Sequence, residues 1–465
     1  MKQARMRLET ALATQASRVG YDQLPREAVE AARRAVLWTV GSMIAGSQDA
    51  GSDRVLAFAA EQQPDRSGPA TIVGGGGGFS VALAGYANGV YAKALEYEDK
   101  FWIGNSHAYA VAVATVPAAF AAAEHRTAAN ATVSGQDLLT AVAAGTDAEI
   151  RMVAAAPHAI DTPFNSTYLF GHFGAAATAG RIFGLSAAAM LDALGLAYTQ
   201  IAGTYQAHHE GSLAVRMQMG ACVRNGVQAA LLAGHGVDGP HEFLTGTDGL
   251  YPTFFRECES AALLDGLGRE FRGTRLGFKG YPCCAAMHQA MDAVLDLRTR
   301  HGIRPEQVAA VRVHGAPSME ITCRPIEAKR HPTNHVEQSF SLPWSVACLL
   351  TAGRLTLADF RESALADPTR TALAAKVSGE LDAPDDGVYA EIELSNGDTV
   401  RSAPVGAPTG HPDNPLSLDR LIERYQDCAR NGAPRHTTER TERALDLILN
   451  LEKVDDATEV FRVLG

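Results

Sequence analysis

The feature that most constrains the fold is a change in apolar periodicity near residue 270. From about residue 24 to residue 268, apolar side chains recur at helical spacing in segment after segment, with glycine-rich breaks between them. Beyond that point the run Val308–His314 alternates like a strand, and the run 389–401 predicts a hairpin that turns at an Asn-Gly pair. Helical spacing returns after Pro415.

This pattern predicts a mainly α-helical protein with an α+β lid. Both chain ends, residues 1–269 and 406–465, are expected to form a large all-helical domain, and residues 270–405 an inserted, smaller α+β domain. A chain of 465 residues is long enough for two such domains. The glycine run 74–78 is not followed by Gly-Lys-Ser/Thr, so we expect a flexible turn between helices and not a phosphate loop.

Composition excludes several partners. A net charge of −11 argues against nucleic acid and anionic membranes, although it leaves room for an anionic substrate in a local cationic pocket. We expect no membrane segment, since no apolar run is long enough to span one, and the N-terminus lacks the apolar core of a signal peptide. Seven cysteines without a pairing framework predict a cytoplasmic protein, and the sequence carries no metal-binding motif.

Two short segments concentrate reactive groups. Residues 95–100 read Leu-Glu-Tyr-Glu-Asp-Lys and are followed by His107. Residues 277–284 read Gly-Phe-Lys-Gly-Tyr-Pro-Cys-Cys, which places Lys279 on a connector that Pro282 stiffens just before an apolar helix. Alone, such a lysine is more commonly solvated, and such a histidine is about as commonly a satisfied core residue. Their occurrence together makes both of them catalytic candidates.

Seven fragments in register resemble the MmgE/PrpD family, which is of the 2-methylcitrate dehydratase, cis-aconitate decarboxylase and iminodisuccinate epimerase type. These fragments span residues 39–46, 87–89, 173–179, 219–230, 278–283, 337–344 and 414–416. The resemblance covers essentially the whole chain. It implies an enzyme without metal or cofactor, a homodimer, and a substrate site between the helical domain and the lid. The implied chemistry is proton transfer at a carbon next to a carboxylate.

Matching the family's motifs gives roles to individual residues. Lys279 corresponds to the lysine of a Lys-x-Tyr-Pro motif, where it either transfers a proton or anchors a carboxylate. His107 is the natural proton carrier near neutral pH. Asp99 lies in the acidic box, where orienting its neighbours is the more common role for such a carboxylate. With Glu96, these residues form the predicted catalytic set.

The sequence departs from the family at several of these positions. The usual His-Ala-Leu-Asp motif begins here with Lys93 and ends with Glu96, whose extra methylene moves its carboxylate by more than about an ångström. The family's Phe-His-Pro is replaced by a run in which Asn165 stands for the histidine, and residues 215–218 lack a lysine and a histidine. Arg216 retains a positive charge there and offers a bidentate fork for a carboxylate. The predicted substrate-binding residues are Arg216, Asn165, Tyr168, Lys100 and Cys284.

Three functions are compatible with these residues. The first is a lyase that removes water or carbon dioxide from a small carboxylate, and the second is an epimerase or isomerase that uses the same proton abstraction. The third is a dimeric scaffold without catalysis, against which the retention of Lys279, His107 and Glu96 argues. Tyr168, His172 and Tyr205 are candidates for the missing acid, each with a structural role as the more common alternative.

Overall fold

A computed structural model describes residues 7–103, 107–156, 164–255, 257–384 and 386–465, with only the backbone of His107. Most of these residues are helical. The helices are α1 (Leu8–Arg18), α2 (Arg26–Gly46), α3 (Ser52–Gln62), α4 (Val81–Lys93), α5 (Ala112–Ala128), α6 (Gly135–Ala155), α7 (Ser166–Phe183), α8 (Ala187–Tyr198), α9 (Gln206–His209), α10 (Ala214–Gly234), α11 (Leu250–Phe254), α12 (Ser260–Leu264), α13 (His288–His301), α14 (Glu320–Cys323), α15 (Ile326–Arg330), α16 (His335–Ser339), α17 (Leu342–Ala352), α18 (Pro368–Ala374), α19 (Leu418–Arg430), α20 (Thr438–Leu449) and α21 (Glu459–Leu464). The strands are β1 (Ala70–Ile72), β2 (Gly76–Phe79), β3 (Asp99–Ile103), β4 (His107–Tyr109), β5 (Leu276–Phe278), β6 (Val308–His314), β7 (Val377–Glu380), β8 (Tyr389–Leu394) and β9 (Thr399–Arg401).

The helical body is built around α7, which is buried along almost its whole length by α5, α6 and α10. Small residues allow these helices to approach closely. A Cβ added at Gly174 would lie 1.8 Å from a carboxylate oxygen of Glu149 on α6, and one at Gly226 would lie 2.5 Å from Ala175. Helix backbones come this near only where one partner lacks a side chain. This tight packing fixes the start of α7, which borders the cavity described below.

The C-terminal helices return to the helical body. Helix α19 packs against α2, and Phe461 of α21 stacks on Phe120 of α5 with ring centroids 4.1 Å apart. A separate apolar core holds residues from Tyr281 to Ile392, whereas Phe271 and Phe278 belong to the core of the helical body. We therefore propose that the α+β unit begins near residue 280, about ten residues after the predicted boundary.

Small sheets correct the prediction of an all-helical large domain. That domain carries the antiparallel hairpin β1–β2 and an antiparallel three-stranded sheet in the order β4-β3-β5. Part of the glycine run 74–78, predicted to be a flexible turn, forms β2, with positive φ at Gly76 and Gly78. These strands have three to five residues, too few for an alternating pattern to stand out.

The α+β unit contains a four-stranded sheet in the order β7-β6-β8-β9, in which β6 and β7 are parallel. The predicted strand over Val308–His314 and the predicted hairpin of β8 and β9 are both confirmed. Among the described helices, none is long and apolar enough to cross a membrane.

Candidate active site

A cavity of about 430 Å³ lies between the helical body and the α+β unit. One part of its wall is charged and comes from the segment that joins α4 to β3. The rest is largely aromatic and aliphatic. The wall residues are Lys93, Glu96, Glu98, Lys100, Ala108, Tyr109, Val153, Ala156, Phe164, Asn165, Ser166, Thr167, Tyr168, Phe170, Tyr205, His208, His209, Phe255, Cys284, Ala285, Ala286, Pro317, Ser318, Glu320, Ile321 and Phe340.

A buried charged cluster contributes Lys93, Glu96, Glu98 and Lys100 to the polar part of this wall. It consists of Lys93, Glu96, Glu98, Lys100 and Lys279, and it contains three of the seven lysines in the chain. One oxygen of Glu98 accepts from all three ammonium groups, at 2.9 Å from Lys100, 3.0 Å from Lys279 and 3.3 Å from Lys93. Lys93 also contacts the carboxylate of Glu96. When every group is ionised, the charged cluster has one net positive charge.

Local backbone geometry assembles the charged cluster. Lys93 is the last residue of α4, and the chain then turns through Glu96, whose φ of 49° lies in the left-handed region that side chains other than glycine rarely adopt. This turn brings the Glu96 carboxylate back to Lys93. Strand β5 pairs with β3 so that Phe278 lies opposite Asp99, which delivers the next residue, Lys279, to the same place.

Burial and mutual charge shift the pKa values of the charged cluster. Burial lowers the pKa of Lys93 to about 7, against the opposing attraction of Glu98 and with help from the neighbouring lysines. Burial likewise lowers the pKa of Lys100. Burial alone would raise the pKa of Glu98, but the three lysines hold it well below its usual value. Lys93 is therefore a wall residue that can both hold and release a proton near neutral pH.

Lys279 lies behind the cavity wall, where the protein uses its donors. Its ammonium group donates to the backbone oxygen of Glu96 at 2.7 Å, to the carboxylate of Glu96 at 3.1 Å and to Glu98 at 3.0 Å. An ammonium group has three donors, so all are occupied. Lys279 is fully buried and is not among the described residues of the cavity wall. In the described structure Lys279 holds both glutamates in position from behind the wall, and its predicted role, proton transfer or anchoring of a carboxylate, stays a prediction.

Asp99 also lies behind the wall. One of its carboxylate oxygens accepts the backbone N–H groups of Val111 and Ala112, at 3.0 and 2.9 Å, where α5 begins. The other oxygen is buried without a hydrogen-bond partner in the described structure. Burial raises the pKa of Asp99 to about 6. The carboxylate thus fixes the start of a helix, and its predicted catalytic contact is not supported.

Arg216, predicted to bind the substrate, lies outside the described wall of the cavity. Its guanidinium group forms an ion pair with Asp49 and donates to the backbone oxygen of Ala50 at 3.1 Å. It is buried on α10 but does not belong to the described wall of the cavity. Its fork is therefore occupied by the protein and is not presented to a substrate.

Three predicted substrate-binding residues other than Lys100 do line the cavity. Asn165 accepts the backbone N–H of Thr167 at 3.0 Å and caps the start of α7. The Tyr168 hydroxyl is buried without a hydrogen-bond partner among the described residues, and burial raises its pKa well above the usual value, so it stays a donor. The backbone N–H of Cys284 donates to Ser339, and its side chain borders the cavity.

The remaining acid candidates differ in their placement. Tyr205 lines the cavity, whereas His172 is held by the backbone oxygen of Tyr168 and by Asn225. Burial lowers the pKa of His172 to about 4, which makes it a neutral packing residue. The side chain of His107 lies outside the described residues.

Lys93 and His208 are among the wall residues that were not predicted as part of the site. Lys93 carried a signal, because it stands where the family motif has a histidine and lies three residues before Glu96. His208 gave no signal in the sequence. It packs edge-on against Phe340, burial lowers its pKa to about 3, and its Nδ1 is buried without a hydrogen-bond partner in the described structure. It is therefore a neutral imidazole at the cavity.

The charged cluster is not arranged to hold a metal. Its lysine ammonium groups occupy the positions around the carboxylates that a cation would take. Within the described ranges, no group of three or more histidine, cysteine, aspartate or glutamate side chains is placed to bind a metal ion.

Comparison with known proteins identifies the class. Residues 10–261 match the MmgE/PrpD N-terminal domain, and residues 281–452 match the MmgE/PrpD C-terminal domain. The chain belongs to the MmgE/PrpD family. It is 25% identical over 469 residues to the cis-aconitate decarboxylase-like protein oryM of Aspergillus oryzae, which covers 95% of this chain and 94% of that protein. It is 25% identical over 477 residues to a cis-aconitate decarboxylase of Aspergillus terreus, with 97% and 94% covered.

Proposed function

We propose that this protein is a lyase that removes water or carbon dioxide from a small carboxylic acid, by proton transfer at the carbon next to a carboxylate and without a cofactor. The observation that carries the proposal is Lys93, which combines a place on the cavity wall with a pKa of about 7. Groups with a pKa near the working pH are the most effective proton carriers. The family and its decarboxylase relatives support the same reaction class.

The wall supplies the groups that such a reaction needs. A substrate carboxylate placed against Lys93 and Lys100 meets two lysines that are only 5% and 7% exposed, and burial strengthens the attraction to their protonated forms. In a dehydration, neutral Lys93 removes the proton next to the carboxylate, and Lys100 stabilises the negative charge that develops. A double bond then forms as the C–O bond of the adjacent carbon breaks, and the departing hydroxide takes the proton back from the Lys93 ammonium group and leaves as water. In a decarboxylation, protonated Lys93 returns a proton to the carbon from which carbon dioxide has left. The Tyr168 hydroxyl is a further donor for an oxygen of the substrate.

The test is incubation with a panel of small hydroxylated and unsaturated carboxylic acids in deuterium oxide, followed by proton NMR and mass spectrometry. A lyase gives a product that is lighter by water or carbon dioxide. An epimerase or isomerase, the second candidate, washes deuterium into recovered acid without loss of the group, and a scaffold changes none of the acids. The matched variants are Lys93→Met and Lys453→Met, since Lys453 is exposed and outside the cavity wall.

A further inference from the structure

We propose that the cavity is built for an acid with one carboxylate and an apolar tail, aromatic or branched aliphatic, and not for a compact acid with several carboxylates. This inference rests on the proposed function, because it names the substrate class of the same site. It is carried by the distribution of charged and apolar groups on the wall.

The charges of the wall match a single carboxylate. Among the described wall residues, lysine and arginine are represented by Lys93 and Lys100 alone, and both are already paired with Glu98. Glu96 belongs to the charged cluster, and Glu320, which is exposed, adds a further negative charge elsewhere on the wall. The charged cluster has one net positive charge with every group ionised, so the first substrate carboxylate neutralises it. A second carboxylate in the cavity would face the cost of losing water without gaining a lysine or arginine among the described wall residues.

From the sequence alone, Arg216 is a further cation that could bind a second carboxylate. In the structure its guanidinium group is bound elsewhere. Its ion pair with Asp49 and its bond to Ala50 use the guanidinium group outside the cavity wall. His208, on the wall, is neutral because burial lowers its pKa to about 3. Neither residue supplies a charge that would hold a polycarboxylate in the described structure.

The rest of the wall is shaped for an apolar group. Four phenylalanines contribute to it, together with Val153 and Ile321; they are Phe164, Phe170, Phe255 and Phe340. They come from both the helical body and the α+β unit, so a tail placed between them contacts both. Each methylene of a tail that is buried here contributes a similar amount to the binding free energy. A charged group in the same place makes no such contribution.

The cavity is large enough for an acid that carries an apolar tail. Its volume of about 430 Å³ falls in the range of sites that enclose drug-sized ligands, roughly 300–1,000 Å³. A compact polycarboxylate would leave much of the aromatic wall uncovered. An acid with an apolar tail covers both parts of the wall at once.

The test is isothermal titration calorimetry at pH 6.5, where Lys93 is largely protonated. One series holds a single carboxylate and lengthens the tail, and a second series keeps the carbon number and adds carboxylates. We expect each added methylene to tighten binding about threefold to fourfold until the cavity is full. We expect each added carboxylate to weaken binding at least about tenfold. Tightest binding by a tricarboxylate, with no gain from a longer tail, would overturn the inference.

Phe340→Leu provides a variant of the tail-binding wall, and Phe58→Leu its control, because Phe58 is 47% exposed on α3. We expect Phe340→Leu to weaken the tailed acids about threefold to tenfold and to leave the shortest acid unchanged, while Phe58→Leu changes neither. If Phe340→Leu does not fold, the two ligand series decide the question alone.

Turnover of the same acids separates this inference from the proposed function. Tight binding of tailed acids with no turnover of any acid would reject the lyase and support the inference. Turnover confined to polycarboxylates would support the lyase and reject the inference. Turnover of tailed monocarboxylates supports both.

Discussion

Two ionic groups of this molecule contain residues that the sequence marks as candidate site residues, but the structure gives the two groups different surroundings. The charged cluster around Glu98 is buried, and so is Arg216 beside the partly exposed Asp49. Both groups contain a residue predicted to bind or transform the substrate. The charged cluster borders a cavity, however, and one of its lysines has a pKa of about 7. Arg216 is closed against Asp49 and the backbone of Ala50.

The comparison shows that burial and charge together do not make a site. What distinguishes the charged cluster is an excess of one cation over the carboxylates, placed where a ligand can reach it. In the Arg216 pair, one cation meets one anion and the donors are used within the protein. The following predictions test this difference, beginning with the largest effect.

Of the variants considered, Lys93→Met should have the largest effect on the rate. It removes the proton carrier and leaves two lysines to balance two glutamates, so we expect kcat to fall about a hundredfold to ten-thousandfold on the best acid of the panel, with the fold retained. Steady-state kinetics and circular dichroism measure both effects. Lys453→Met is the control with an unchanged rate. A Lys93→Met enzyme within threefold of the wild type would remove Lys93 from the chemistry.

Lys279→Met should combine a catalytic defect with a loss of stability. Its three hydrogen bonds hold Glu96 and Glu98, and their loss leaves buried carboxylates short of a cation. Breaking such a buried pair typically costs about 3–5 kcal/mol of unfolding free energy. Urea denaturation measures it. An unchanged unfolding free energy with a strongly reduced rate would instead show that Lys279 acts directly on the substrate.

Arg216→Gln should change stability but not the chemistry. The substitution removes the guanidinium partner of Asp49. His335 Nε2 still lies 3.6 Å from that carboxylate, whose side chain is 15% exposed and recovers part of its hydration. We expect a loss of about 1–3 kcal/mol of unfolding free energy and a kcat within threefold of the wild type. A drop in kcat beyond a hundredfold in the folded variant would place Arg216 at the substrate and break the comparison.

Asp99 gives a smaller, pH-dependent effect. The folded state raises its pKa from 3.8 to about 6, so folding favours the protonated form, and the stability from this group is lost as pH rises between those values. Asp99→Asn cannot ionise and keeps an oxygen for the N–H groups of Val111 and Ala112. We expect its unfolding free energy to vary less between pH 4 and 6, by about 1–2 kcal/mol. Identical pH profiles in the two proteins would exclude this ionisation.

Much of the architecture could be predicted from the sequence because long helices carry a repeating apolar pattern. Helices α2, α4, α5 and α6 lie within the stretch from residue 24 to residue 268 that carries this pattern, and strand β6 lies where alternation predicts it. The short strands β3 and β5 have too few residues for such a pattern, and yet their pairing brings Lys279 to Glu98, 181 positions away. The position of Lys279 behind the wall could therefore not be predicted.

Part of the candidate site could also be predicted from the sequence, because some of its residues are neighbours in the chain. The segment containing Glu96 and Lys100 is local, so its family motif identifies it without knowledge of the fold. The partner of Arg216 is 167 positions distant, and only packing of α10 against the loop after α2 shows that the guanidinium group is occupied. Lys93 was visible as a departure from the motif, but its shifted pKa comes from burial, which a motif does not report.

The most direct test of the account is an NMR titration of the lysine side chains between pH 5 and 11. Because the chain has only seven lysines, selective isotope labelling gives few signals, and Lys93→Met assigns the one that matters. The account predicts a Lys93 signal with a midpoint near pH 7 that moves upward when a carboxylate ligand is added, since the bound anion stabilises the ammonium form. A midpoint above about 9.5, unchanged by any carboxylate, would contradict it.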